Sequence, residues 1–204
     1  MVKMKKAVLY ILLFLATGTS LFPNEVLGQT DLVRWNLTAN GNVSYADPSI
    51  TAEGISTYGN PLSYNSSGLL ITGWNNSSIE HFRYISISLS SSNGNPVEIG
   101  NLVFDQEATT NPPANYTIRY YIAPNGDAVD DYQFMYNLSS ILINNESISG
   151  NPFKNIPLNL TISGTQKLIV RFYTSGNDWG AGWRIKSNTL KITAPALGPQ
   201  AIDD

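Results

Sequence analysis

Three stretches of this chain alternate apolar and polar side chains with a period of two. In Tyr84–Leu89, Ile85, Ile87 and Leu89 fall on one phase while Ser86 and Ser88 fall on the other. Tyr116–Ile122 sets Tyr116, Ile118, Tyr120 and Ile122 against Thr117, Arg119 and Tyr121. Lys167–Thr174 sets Leu168, Val170 and Phe172 against Ile169, Arg171 and Tyr173. Shorter pieces at Leu158-Leu160-Ile162, Trp183-Ile185 and Leu190-Ile192 repeat the pattern, and Leu32–Leu37 reads as an opening strand. Successive side chains of a strand point to opposite faces, so each of these segments is expected to have one buried face and one wet face. Turn formers cut the chain between them, at Asn40-Gly41-Asn42, Asp47-Pro48, Gly59-Asn60-Pro61 and Asn65–Gly68. Gly and Asn there supply positive φ, and Pro supplies a fixed φ. The pattern predicts an all-β chain, an antiparallel β-sandwich or jelly roll, with Trp35 and Trp183 in its core. One segment breaks the alternation. In Asp130–Ile143, Phe134, Met135, Leu138, Ile141 and Leu142 follow helical spacing, which predicts a loop or helical turn leading into a strand.

The two ends differ from the middle. Lys3, Lys5 and Lys6 precede the apolar run Ala7–Ala16, and Val26-Leu27-Gly28 supplies a small-residue exit before Gln29. This is the charged, apolar, small-residue order of a secretory signal, and the run is well short of the roughly 20 residues that span a bilayer. The expected organisation is a signal peptide over 1–28, a sandwich domain over 29–193 and a linker-like tail over 194–204. The mature chain is then expected to be secreted or held at the cell surface, with no membrane span. The tail, APALGPQAIDD, also fits the front of a longer protein. Removing the leader from the 204 residues leaves 176, the size of one sandwich domain.

Composition narrows the partners. Lys3, Lys5, Lys6 and Glu25 leave with the leader, taking the chain from 12 basic and 15 acidic residues to 9 and 14. No basic stripe remains to neutralise a phosphate backbone, which excludes nucleic acid. There is no Cys and a single histidine, His81, so neither disulfides nor an ordinary zinc site is available. A nucleophilic triad would depend on His81, and no Gly-x-Ser-x-Gly elbow presents a serine to it. His81, beside Phe82 at a strand start, reads as a surface or edge residue.

Glycoside hydrolysis needs two carboxyl groups about 5–9.5 Å apart. Glu53, Glu80, Glu98, Glu107 and Glu146 are the glutamates available, none in a recognisable acid–base context. No catalytic residue is assigned. Asp127, Asp130 and Asp131 form an oxygen-rich turn that suits a structural Ca²⁺, although the spacing is not that of an EF-hand. No other cofactor is indicated.

Asn, Ser, Thr, Gly and Tyr dominate the polar positions, giving a neutral hydrogen-bonding surface. Aromatic rings stack on the C–H faces of sugars while amides and carboxylates bond the hydroxyls. Trp74 with Asn76, and Asp178 with Trp179, combine these groups in glycine-rich or polar loops and are the candidate ligand-binding residues. Tyr121 and Tyr173, on the expected wet phases of their strands, are placed to extend such a platform. Asn-x-Ser/Thr triplets occur at Asn36, Asn42, Asn65, Asn75, Asn76, Asn115, Asn137, Asn145 and Asn159. They are glycosylation acceptors only in a eukaryotic secretory pathway.

Four segments carry a family resemblance: LVRWNLT (Leu32–Thr38), GWNNSSIEHFRYISISLS (Gly73–Ser90), LVFDQEATTNPPANYTIRYYI (Leu102–Ile122) and WGAGWRIKSNTLKI (Trp179–Ile192). Together they resemble the exported jelly-roll or galactose-binding-like β-sandwich module of Bacteroidetes and other environmental bacteria. The resemblance implies a sandwich appended to hydrolases, nucleases or sorting domains, with its ligand generally unassigned. Arginines often follow the "FD" pair in that module. Here Gln106, Glu107 and Ala108 follow instead, so an anion-binding role does not carry over. Three functions stand open: a non-catalytic module binding carbohydrate or another extracellular surface, a ligand-free accessory domain of a larger surface protein, and a jelly-roll polysaccharide hydrolase or lyase.

Overall fold

The computed structural model describes residues 29–74, 79–109, 112–124, 127–175 and 181–196, without the side chains of Trp74 and Ala181. The expected signal peptide, most of the tail, and Asn76, Asp178 and Trp179 lie outside the described residues.

Fourteen strands are described. They are β1 (Asp31–Trp35), β2 (Val43–Ala46), β3 (Ile50–Ala52), β4 (Ser56–Tyr58), β5 (Leu62–Asn65), β6 (Gly68–Trp74) and β7 (Tyr84–Ser91), then β8 (Val97–Ala108), β9 (Asn115–Ala123), β10 (Ser140–Ser147), β11 (Phe153–Ile162), β12 (Lys167–Ser175), β13 (Ala181–Lys186) and β14 (Lys191–Thr193). They form two antiparallel sheets, which is the all-β sandwich the alternation predicts. The first sheet runs β2-β1-β14-β8-β13-β6-β5, with β11 along the other edge of β8. The second runs β10-β9-β12-β7-β3, and β4 pairs beside β3 on the edge of β7. The first and last strands are neighbours: Asp31 pairs with Thr193, and the Ala194 N–H donates to the Thr30 carbonyl at 2.8 Å.

The core lies between the sheets. Trp183 and Phe104 come from the first, and Tyr116 and Phe172 from the second. The Tyr116 and Trp183 rings stack at 5.1 Å, while Phe104 meets Phe172 edge-on at 5.7 Å. Trp35 and Trp183 are fully buried, as their sequence context predicts, and each indole N–H has a partner. Trp35 donates to the Glu53 carbonyl at 2.7 Å, and Trp183 donates to Gln106 Oε1 at 3.1 Å. Burying an indole nitrogen without such a partner would cost about 1–3 kcal/mol.

Short polar turns fill the gaps between strands by one repeated device. The side-chain oxygens of Asn40, Asp47, Asn65 and Asn93 each accept the backbone N–H two residues on, at 2.8–3.0 Å. Asn145 and Asn159 hold positive φ, 52° and 48°, where the registers of β10 and β11 shift. A small residue tolerant of that conformation is what a bulge requires.

One expectation is corrected. The outward phases of β7 and β12 are not wet: Ser86, Ser88, Ile169, Arg171 and Tyr173 are all buried. The segment between β9 and β10 covers them. It forms a short helix, Asp131–Gln133, that continues as a π-helical turn, Phe134–Leu138, and leads into β10 as expected. Phe134 and Met135 from this turn join Tyr84, Ala123, Ile169 and Tyr173 in a second apolar cluster outside the second sheet. Beneath them Arg171 and Asp131 form an ion pair at 2.9 Å, and the Tyr84 hydroxyl donates to Asp131 at 2.7 Å. The sandwich therefore has three layers over the middle of β7, β12 and β9. Tyr173 cannot extend a surface platform, and burial pushes its phenol up to about 12.

Candidate functional site

The carboxylates available for acid–base chemistry are engaged elsewhere, one by one. Glu53 holds Lys167 at 2.6 Å and Ser88 at 2.7 Å; Glu80 pairs with Arg83 at 2.8 Å. Glu107 pairs with Arg184, and Glu146 takes Lys154 and the Tyr116 hydroxyl. Four of the five are thus held by four different cations, on β11, β12, β13 and just before β7, and Glu98 faces Thr161 across β8 and β11. Such carboxylates are tied down as structural counter-ions rather than set opposite one another. His81 sits among Phe82, Tyr132 and Tyr136 at the start of β7, packed edge-on against all three rings.

The acidic turn is divided by the helix it opens. Asp130 is the N-cap, its Oδ1 accepting from the Tyr132 and Gln133 N–H groups at 3.0 and 3.1 Å. Asp131 turns inward to Arg171 and Tyr84, and Asp127 lines a small depression of about 260 Å³ beside Tyr121 and Val129. Among the described residues, no three His, Asp or Glu side chains converge as a metal-ligand set.

Of the four residues expected to bind sugar, only Trp74 falls on a described element. It closes β6 opposite Ala181 of β13.

A wider concavity than the depression beside Asp127 lies on the outward face of the first sheet. Register places Tyr45, Arg34, Lys191, Val103 and Asn155 in one row across β2, β1, β14, β8 and β11. Four strand spacings make that row about 19 Å long. Above it lies a groove of about 800 Å³, also lined by Asp31, Asp105, Phe153, Asn188, Thr189 and Thr193. Tyr45 and Phe153 stand at opposite ends, 40% and 46% exposed.

Between those rings the polar groups are fixed. Asp31 accepts from both Arg34, at 2.5 Å, and Lys191, at 2.9 Å, and holds the two cations over the floor. The Arg34 guanidinium leans on the Tyr45 ring at 5.5 Å. Asn101 donates to the Asn155 side chain, and its own N–H reaches Thr193 Oγ1 at 3.2 Å. Asp105 pairs with Phe153 across the sheet, and its carboxylate makes no hydrogen bond or ion pair among the described residues. Two cations and two carboxylates leave the groove without net charge.

Sequence reasoning did not find this site. Arg34, Tyr45, Lys191 and Asn155 are ordinary polar-phase residues of separate short strands, and only the pairing of non-adjacent strands aligns them. The one local signal was the Phe104-Asp105 pair, which places an acid on the outward phase of a buried strand.

No protein-family model matches the chain, and no curated protein matches it. Among solved structures, a "Carbohydrate binding module family29" protein superposes with a TM-score of 0.43 at 14% identity, covering 86% of this chain and 99% of its own. Two variants of a family 29 carbohydrate-binding module, from studies of its ligand recognition, give TM-scores of 0.42 and 0.40 at 15% and 12% identity. Those matches cover 84% and 80% of this chain and 99% and 92% of theirs.

Proposed function

We propose that this chain is an exported, non-catalytic module that binds a neutral polysaccharide along the groove crossing β2, β1, β14, β8 and β11. One observation carries the reading: two exposed aromatic rings, Tyr45 and Phe153, face a common channel whose floor is amide, hydroxyl and mutually neutralised charge. Rings meet the C–H faces of pyranoses, and Asn155, Asp105 and Lys191 are spaced between them to exchange hydrogen bonds with hydroxyls. A few placed polar groups within a largely preformed cleft are the usual features of a small-ligand site. Cancelled charge favours uncharged glycans over uronate or sulfated chains. Asp31, one of the two carboxylates in the groove, is tied to Arg34 and Lys191, which supports a binding role for it rather than one as a free acid or base. The leader-like start of the chain supports export, and glycans at the cell surface or beyond are then the accessible ligands.

The test is native electrophoresis through gels containing mixed-linkage glucan, galactomannan or arabinoxylan. Retardation of the wild type in at least one gel, abolished by Tyr45→Ala/Phe153→Ala and weakened by Asp105→Asn, is the expected result. A wild type that no polysaccharide slows, as a ligand-free spacer would behave, sinks the reading. So does a groove variant that migrates like its parent.

A further inference from the structure

The opposite side of the molecule exposes a second set of rings. Tyr132 and Tyr136, four residues apart on the helical turn, stand 4.7 Å apart and are 53% and 56% exposed. His81 packs edge-on between them and Phe82, which is itself 40% exposed. Four rings thus form one continuous outward patch over the second sheet. Exposed apolar area is ordinarily scattered, and a cluster of this kind on a rigid support marks an interaction site.

The support is rigid for reasons already on the page. Asp130 caps the turn, Asp131 is clamped by Arg171 and Tyr84, and Phe134 is buried with Arg171 4.2 Å from its ring. A π-helical turn, frequent at functional sites, rotates Tyr132 and Tyr136 outward while Phe134 and Met135 face in. Beside the tyrosines runs a parallel ridge of amides, in which Asn137 Nδ2 donates to Gln133 Oε1 at 2.7 Å. That bond uses the Asn137 amide nitrogen and the Gln133 carbonyl oxygen, so the donor of exposed Gln133 and the acceptor of exposed Asn137 are not consumed by it.

We infer that this patch is a second glycan-binding platform, independent of the groove, so that one chain can hold two polysaccharide strands on opposite faces. Its chemistry is that of a sugar site: flat rings for C–H faces, and beside them a neutral donor and acceptor for vicinal hydroxyls. Around it Glu80 pairs with Arg83, Asp131 with Arg171, and Asp130 caps the turn, so the charges here are paired or acidic and offer nothing to an anionic lipid or a nucleic acid. Two sites facing away from each other cannot grip one short chain together. They cross-link.

The probes are the three polysaccharides named above, in gels and as coatings on latex beads. Variants are Tyr132→Ala/Tyr136→Ala on the platform, Tyr45→Ala/Phe153→Ala in the groove, and the two combined. The platform pair is exposed and its loss leaves the fold intact; Tyr132→Phe/Tyr136→Phe keeps the rings and is expected to bind. Loss of two stacked rings is expected to weaken retardation about tenfold in one gel. The combined variant is expected to bind nothing, and only the wild type and the Phe variant should aggregate coated beads.

Platform variants that migrate as wild type in every gel overturn the inference, as does a wild type that never aggregates beads. Sedimentation revealing a dimer that the Tyr→Ala pair dissolves overturns it too, by assigning the patch to a second copy of the chain. Binding lost in the platform variant but unchanged in the groove variant would leave the patch as a single glycan site, sinking the groove reading and the two-site cross-linking together.

Discussion

Arg171 of β12 and Asp131 of the helical turn meet at 2.9 Å over a face that strand alternation would leave in water. The guanidinium lies 4.0 Å from the Tyr84 ring and 4.2 Å from the Phe134 ring, so the cation is sandwiched as well as paired. Both side chains are largely buried, 7% and 25% exposed. A pair in that setting is weak evidence for net stability, yet removing one partner strands the other.

Arg171→Ala is therefore expected to destabilise the domain by about 3 kcal/mol, the usual cost of orphaning a buried charge. Asp131→Asn, which still accepts from Tyr84, should cost less. Urea unfolding gives both values. A loss within a few tenths of a kcal/mol for Arg171→Ala would mean that the turn is not held from beneath.

This relationship also explains where the sequence misleads. The alternation in YISISL and KLIVRFYT correctly finds β7, β12 and their inward phases, because Ile87, Leu168, Val170 and Phe172 are fixed by the strand period alone. It misassigns the outward phase because a third layer arrives from a segment some 40 residues away. A hint was present: Ile169 and Tyr173 make β12 apolar on both phases, as a strand covered on two sides should be. The groove had no comparable hint. Tyr45 and Phe153 lie more than a hundred residues apart, and their common groove depends on β1, β14 and β8 lying between them.

Glu53 gives a pH dependence. The Lys167 ammonium, then the Ser88 hydroxyl, hold its carboxyl below the ordinary glutamate value of 4.5. The unfolded chain binds that proton more tightly than the folded one, so the contribution is fully present above about pH 4.5 and is lost as pH falls through the folded value. Because Glu53 is 61% exposed, solvent screening keeps the effect modest. Wild type should exceed Glu53→Gln in unfolding midpoint near neutral pH, and the two should converge in acid. A gap that persists or widens at low pH contradicts the assignment.

Trp183→Phe removes the indole N–H from Gln106 and leaves a cavity beside Tyr116, Phe104 and Phe172. The expected loss is about 2–3 kcal/mol, a hydrogen bond plus a partly unfilled space. Thermal unfolding monitored at the far-ultraviolet strand signal checks it. The variant should fold, since the other rings of the cluster remain.

Gly100 sits where β8 passes Ala194 and Pro195. A Cβ added there would lie 2.3 Å from the Ala194 carbonyl oxygen, well inside contact distance. Gly100→Ala is expected to push Ala194 away from Thr30 and cost about 1–3 kcal/mol as overpacking. Hydrogen exchange at the Ala194 amide should accelerate in the variant. Unchanged protection there would show that the backbone gives way elsewhere.

The pairing of Asp31 with Thr193 sets how this domain answers to force. Its polypeptide enters and leaves at one corner, on adjacent antiparallel strands, so tension between the two ends loads a single rung of the ladder at a time. Strands pulled in that direction unzip at low load, whereas strands drawn along their length resist until many rungs fail together. A single-molecule stretching trace should accordingly peel β1 from β14 first, while the groove floor loses Arg34 and Lys191 in the same event. If the groove binds glycan as proposed, its release would accompany that strain.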